Sequence, residues 1–567
     1  MEIKKLLLAL FLSFVFIITW NQIFPPIEAE EEIDKNIPSV NNDNTAEEPL
    51  ITETTPESMS DVSSAINVDN ISQAAITVKT SLLNLELING ATSISNLKII
   101  EQNDDGSFKH KGVWVQNGDV YDVDSPVELV TGGTCNPCLL IDDEVVRFVK
   151  STIESVSSQQ IITSVAETNN IIKKTMISDD SYTLYHTFQN LPNQKDVVLL
   201  WDTGISPSEQ FVTDDVSYFS VYAQNEDSYE EEYLSSVGDE KSITYQDNVG
   251  WAGLKSKYFI KAITNDNYNR FKADQVVFDM SPAGTIDGVE WFNTNMQYHY
   301  RFSDIQNNEL KVRSYIGPID LKHLNQNDNK HLSQLFGFGW FFIGYLAKGI
   351  MWLLTGLYSI IPNYGVVCIL FAFIIRFFTG PLTKKSFLSN QKMQAIQPKL
   401  KKIQEKYKDD SAKLNQEIMG LYQKEGVNPL GGCLPILIQM PLLIALFQVF
   451  RKTIEFRGAS FLPFWITDLS QPDVVLQFDF LKNIWGLSFF FGHGIALLPI
   501  IMGVVMFLNM KMTATNNINP SQTSTMYIMN GFFILLFNTF PSGLNLYYTV
   551  YNILNFLQQR KLQKLNT

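Results

Sequence analysis

No phosphate-cradling Gly-Lys loop, no His-Glu-x-x-His pair and no internal repeat can be read in this chain of 567 residues, which has only four cysteines and six scattered histidines. Without the first there is no signature of a nucleotide-driven motor, and without the second none of the common metalloprotease arrangement. Without the third, a transporter assembled from two related halves loses its usual mark. Cys135 and Cys138 form a C-x-x-C within TCNPCLL. A thioredoxin-like site needs a strand leading into a helix, and a zinc site needs a second ligand pair. Pro137 and the Gly132-Gly133 turn point instead to a loop, so a small structural disulfide in an oxidising compartment ranks above redox function. Cys368 and Cys433 sit in apolar surroundings and read as buried small hydrophobes, and His493, beside an apolar segment, reads as interfacial.

Charge is scarce in one half and one-sided in the other. Residues 28–339 carry 21 Lys+Arg against 49 Asp+Glu, a net of −28, whereas the remainder carries a net of +12. The two regions must face different surroundings, and the overall charge of −16 describes neither.

The first 24 residues, with Lys4 and Lys5 before an apolar stretch, have no clean small-residue cleavage site. They read as an uncleaved membrane anchor with a cytoplasmic start, because Glu28, Glu30, Glu31 and Glu32 follow it. Residues 25–73, rich in Asn, Ser, Thr, Glu and Pro, read as a disordered acidic tether. From Ala74 to about residue 325 the pattern is alternation: LLNLELI (82–88), VVLLW (197–201), SKYFIKAI (256–263) and ELKVRSYI (309–316), separated by turn clusters such as NDDG (103–106) and TGGT (131–134). That predicts a large antiparallel β domain of sandwich type on the outer side of the membrane. No catalytic signature stands out in it.

Residues 335–362 are apolar but carry Lys348 and several glycines. Counting them as a span would put the following lysines outside, so they read as an amphipathic helix on the outer face. The next span, 363–383, contains Arg376, the only formally charged residue deep inside any predicted membrane helix. A guanidinium stays charged and is costly among lipid tails, so Arg376 is expected to face a wet or protein-lined cavity rather than snorkel. Residues 384–428 hold ten lysines and, to Glu425, five acids. Their apolar residues, Ile396, Leu400, Ile403 and Tyr407, then Leu414, Ile418 and Leu421, predict a cytoplasmic helical hairpin with a narrow seam. Its surface lysines are candidate contacts for headgroups, nascent chains or ribosomal RNA, and Lys392, Lys399, Lys401 and Lys402 are singled out. Further spans are expected at 429–450, 492–510, 525–540 and 543–558, with an outer loop at 451–491, a cytoplasmic loop at 511–524 and a basic tail at 559–567. The last three spans are rich in amides and phenols, which would be unsatisfied against lipid and so imply a shared hydrophilic interior.

The runs GPLTKKSFLSNQKMQAIQPKLKKIQEKYKDD, VNPLGGCLPILIQMPLLIALF and FPSGLNLYYTVYNILNFLQQ, in this order, resemble the YidC/Oxa membrane-protein insertase family across about Phe338 to Arg560. WAGLKSKYF and YIGP resemble the large periplasmic β-supersandwich of its Gram-negative members; the chain before about Trp251 matches only in character. The resemblance implies a multidomain membrane protein: an all-β supersandwich periplasmic domain, an anchor helix, and five core transmembrane helices around a groove open to the cytoplasm. It puts the family arginine at Arg376 and makes Gln439, Tyr547 and Tyr548 similar to groove residues. Asn538 and Asn545, flanking FPSG, depart from the pattern; they either make the groove's outer end more polar or supply interhelical bonds. The function implied is insertion and folding of inner-membrane proteins, alone or with the Sec translocon. No cofactor or metal is implied, and a monomer suffices. With only Arg560, Lys561 and Lys564 in the tail, ribosome contact falls mainly to the hairpin. A polytopic solute transporter and, lower, a membrane-tethered carbohydrate-binding protein are the alternatives; the latter rests on fold analogy alone.

Overall fold

The computed structural model of the chain describes residues 65–69 and 75–566, apart from 89–91, 104, 113, 117–118, 122–124, 193–194, 210, 226–227, 235–241, 266–271, 287–288, 302–304, 306, 326–329, 336–340, 408–409, 428–433, 478–493 and 514–519. The anchor, most of the tether, Cys433 and His493 lie outside the described residues.

Alternation produces strands where it is expected. Leu83–Ile88 buries Leu83, Leu85 and Leu87 and leaves the intervening residues half-buried, the period-two signature of a strand with one face on a core. Val197–Trp201 does the same. Phe259–Asn265 lies mid-sheet between Ser242–Lys255 and Leu310–Pro318 and is buried on both faces, so the sheet is covered on both sides there. Its start is three residues later than SKYFIKAI suggests, since the Ser256 amide bonds back to the Phe259 carbonyl in a turn. The strands pair antiparallel. A four-stranded sheet (Ile76–Lys79, Leu83–Ile88, Ser93–Ile99, Glu128–Val130) accompanies a 15-stranded one, and Trp201, Trp251, Tyr182, Tyr258 and Tyr298 are fully buried in the core. The tether expectation overruns at one point. Ala65–Asp69 pairs with Phe148–Val156 as an edge strand, where Ile66 and Val68 alternate with Asn67 and Asp69 against exposed ladder groups of the sheet edge.

Cys135 and Cys138 are joined in a disulfide, in the loop that leads from the four-stranded sheet to the large one. Buried Asn136 takes part in both: its amide donates to Ser93 Oγ (2.8 Å) and its Nδ2 to the Ile94 carbonyl (2.9 Å), while its Oδ1 accepts from the Asp202 amide (3.1 Å). The loop fastens the sheets together.

Beyond the β domain come helices. The first, α1 (Phe341–Tyr358), turns Ile343, Ala347, Ile350 and Leu354 inward and exposes Phe342, Tyr345 and Trp352. The second, α2 (Tyr364–Ala395), starts where Asn363 caps the Val366 amide (3.0 Å). It does not stop at residue 383. Helix-favouring Lys, Leu, Gln and Met carry it through Pro381 to Ala395, so its 32 residues span roughly 48 Å at about 1.5 Å each, well beyond the ~30 Å apolar slab of a bilayer. The hairpin is correspondingly shorter than 384–428: α3 (Gln397–Lys406) and α4 (Ser411–Lys424). Lys399 pairs with Glu425 at 2.6 Å, so one of the four singled-out lysines staples the pair shut; Lys392 and Lys402 are exposed to solvent to some degree, as is half-exposed Lys401.

Among the described residues four more helices follow: α5 (Leu434–Lys452), α6 (Leu497–Thr513), α7 (Pro520–Phe537) and α8 (Ser542–Asn566). The basic residues expected in the tail, Arg560, Lys561 and Lys564, are helical, since α8 runs to Asn566. Buried Asp473 caps α6 from outside by accepting the Leu497 and Leu498 amides (3.2 and 2.8 Å). α2 packs along α8, α8 against α6, α6 against α7, and α1 against α5. Among the described residues only α2 is long and apolar enough to cross a membrane by length and composition; Leu497–Met512 and Tyr527–Phe537 are shorter apolar helices.

The segment after α5 holds the β domain. Arg457 is buried against Glu209 (2.6 Å) and donates to the Ser208 carbonyl (2.7 Å). Asp214 takes both Arg451 (2.6 Å) and Lys257 (2.8 Å). Beside them buried Asp215 accepts the Ser208 and Lys257 amides (2.8 and 3.2 Å), and burial together with the Glu209 charge pushes its carboxyl up to about 7.

Candidate functional site

Arg376 lies about 18 Å along α2 from Tyr364, counting twelve residues at roughly 1.5 Å. It is 8% exposed. Its surroundings are polar but neutral. Nη1 donates to Thr383 Oγ1 (3.3 Å), Nη2 donates to Gln558 Oε1, and the guanidinium carbon stands 5.4 Å from the centre of the Tyr551 ring. Nε is buried without a partner among the described residues. No carboxylate lies within ion-pair distance among the described residues.

The placement follows from helical spacing. Thr379 and Thr383 stand three and seven residues after Arg376, on the same face of α2. Thr379 Oγ1 bonds the Ile375 carbonyl (2.8 Å) and shares a hydrogen bond with the Tyr551 hydroxyl (3.2 Å), while Thr383 Oγ1 bonds the Thr379 carbonyl (3.0 Å). On α8, Tyr551 and Gln558 are seven apart and meet this face as the two helices pack side by side. Gln558 Nε2 donates to the Gly380 carbonyl (3.2 Å). Around them is a groove of about 650 Å³ lined by Phe373, Arg376, Gly380, Lys384, Leu554 and Gln558, among others.

The other expected groove residues fall elsewhere. Tyr547 is fully buried against Phe371 (5.4 Å between rings), and its hydroxyl has no partner among the described residues. Tyr548 packs edge-on to it at 4.9 Å, with Gln439 of α5 within reach of its hydroxyl. This phenolic column continues through Tyr551 (5.9 Å from Tyr547) toward Arg376. Asn538 and Asn545 take no part in it. Asn538 Nδ2 donates to the Gly494 carbonyl (2.7 Å) and its Oδ1 accepts from the Ala496 amide (2.9 Å). Asn545 Nδ2 donates to the Phe537 and Phe540 carbonyls (both 3.1 Å), closing the last turn of α7. Asn545 stands thirteen residues before Gln558, roughly 20 Å along α8. Of the two readings left open for these amides, a more polar outer end of the groove or interhelical bonds, the observed contacts are bonds to backbone groups of neighbouring segments. Asn509, Asn530 and Asn552 each donate to a backbone carbonyl as well. These bonds occupy the amide nitrogens, while Oδ1 of Asn530, Asn545 and Asn555 is buried without a partner among the described residues; the polar lining of the groove itself comes from Arg376, Lys384 and Gln558. Gln558 and the threonines were legible as positions i+3 and i+7 from known polar groups, had the faces been paired.

The comparisons with known proteins fit this division. Residues 356–567 match the family described as 60Kd inner membrane protein, and residues 156–353 match the YidC periplasmic domain. A protein of Prosthecochloris aestuarii named membrane protein insertase YidC is 35% identical over 416 residues, covering 70% of this chain and 67% of its own length. One of the same name from Chloroherpeton thalassium is 36% identical over 64% of this chain and 60% of its own length. A crystal structure of an active YidC insertase with its first transmembrane domain resolved aligns over 86% of this chain and 93% of that one, at 17% identity and a TM-score of 0.35, too distant to carry any argument. The chain is an inner membrane protein with a β-rich periplasmic domain, and it belongs to the YidC family of membrane protein insertases.

Proposed function

We propose that the groove at Arg376 is where this membrane protein insertase receives the polar tail of a client. The observation that carries the reading is a buried guanidinium whose partners among the described residues are neutral, facing a groove that also exposes Lys384. A buried cation without a counter-charge is costly, and an anionic ligand relieves that cost. A short acidic tail entering the groove exchanges bulk water for groove water and a cation rather than for hydrocarbon. The apolar segment behind it then leaves along the exposed Phe373, Phe377 and Phe378 face of α2 into lipid. Burying about twenty apolar residues, each worth a fraction of a kcal/mol, supplies the free energy, and the membrane potential assists acidic tails.

In this reading α2, α5, α6, α7 and α8 are the core spans, α1 lies on the outer face, and the α3–α4 pair with the basic end of α8 is cytoplasmic, as are both termini. Lys392 and Lys402 are contacts for the ribosome or headgroups, the Sec translocon is a partner for larger clients, and one chain suffices. The charge split supports this orientation, since the lysine-rich continuation of α2 then lies inside.

Purified chain in proteoliposomes without Sec components should protect a newly made single-span client from protease well above empty liposomes. Arg376→Ala should lower protection several-fold for a client with an acidic amino-terminal tail and much less for a neutral one. Equal losses would remove the electrostatic role, and background protection by the wild type would reopen the transporter alternative.

A further inference from the structure

We infer that Gln558 is a displaceable placeholder on Arg376, holding the guanidinium in the empty groove and yielding it to the carboxylate of an acidic client. This rests on the groove reading above. Gln558 is bonded at both ends of its amide: Oε1 accepts from Arg376 Nη2 and Nε2 donates to the Gly380 carbonyl (3.2 Å).

The occupied atoms matter. Nη2 and Nε–H form one edge of the guanidinium fork, the edge that grips a carboxylate side-on with two parallel bonds. Gln558 occupies Nη2, while Nε is buried and unpartnered among the described residues. Moving the amide aside would expose the whole edge. A neutral amide accepts a single bond from the guanidinium and brings no charge, whereas a carboxylate brings a counter-charge and a second parallel bond. The amide therefore offsets some of the cost of the buried charge without neutralising it, and an incoming carboxylate can displace it. A fixed carboxylate at the same place would form a permanent ion pair and close the site.

The test uses the full chain in proteoliposomes and two clients that differ only in an acidic or neutral tail. Gln558→Glu should reduce insertion of the acidic client about 10-fold, the scale of one charged contact, and leave the neutral client within about 2-fold. Gln558→Ala should insert the acidic client at least as well as wild type. If Gln558 is only a strap between α2 and α8, both variants will lower both clients alike, and the inference fails. Arg376→Gln run in parallel separates the two levels. Selective loss there with no selectivity in Gln558→Glu overturns the placeholder alone, while no selectivity in Arg376→Gln overturns the groove reading with it.

Discussion

Asp215 shows how one residue ties the stability of the β domain to pH. Its folded carboxyl is raised to about 7 from an ordinary 3.8 by burial and the Glu209 charge. Between those values the folded chain holds a proton that the unfolded chain has released, so Asp215 subtracts stability as pH rises, by about 1.4 kcal/mol per unit at most, and the loss is complete above about 7. Buried His110 and His186 are shifted down by desolvation and act in the opposite direction below about 6.5. The single-site effect is therefore read as a difference. Asp215→Asn should lie closest to wild type in melting temperature near pH 5 and gain on it toward pH 7.5. A constant offset across that range would contradict the raised carboxyl. At this scale the sequence drew attention to Arg376 through its place in an apolar run together with the polar residues of the later spans. It could not pick Gln558, because a glutamine near a helix end is unremarkable until its partner is known.

At the scale of elements, the amino-terminal end of α2 makes a close approach to the segment after α5. Gly365 faces Phe461, and a Cβ on Gly365 would fall about 2.3 Å from Phe461 Cβ. Gly365→Ala forces the 461–466 loop to move, which should cost about 1–3 kcal/mol, visible as a lower melting temperature and earlier cleavage at that loop. Unchanged values for both would show that the contact is loose. Most strands and helices were readable as periodicity, and their ends were the weak point. Lys384 marked a change of composition, from apolar to basic, and not a change of conformation, so α2 passed through it. Ala65–Asp69 has only a short alternation, Ile66 and Val68, inside an Asn/Ser/Asp-rich stretch, and it is a strand where Phe148–Val156 offers an edge.

For the whole molecule, the buried Arg457–Glu209 pair and the Asp214 bridge between Arg451 and Lys257 tie the β domain to the helical region at this contact. Arg457→Met leaves Glu209 buried without its cation and should cost about 3–5 kcal/mol, whereas Arg457→Met with Glu209→Gln should recover much of it. Limited proteolysis and thermal unfolding of the full chain check both. If the double variant is no better than the single, the pair is not coupled.

The sequence by itself determined the division into an acidic β-rich region and a basic helical one, the strand and helix periods, and the one charge that had no place in an apolar helix. These are local properties, fixed by spacing and composition along the chain. Only the tertiary structure decided which polar groups meet. Asn538, Asn545 and Gln558 carry the same amide, yet two close backbone turns and one lies on Arg376. The difference is what stands opposite, and that is set by the packing of α8 against α2 and α6, not by any residue's neighbours in sequence.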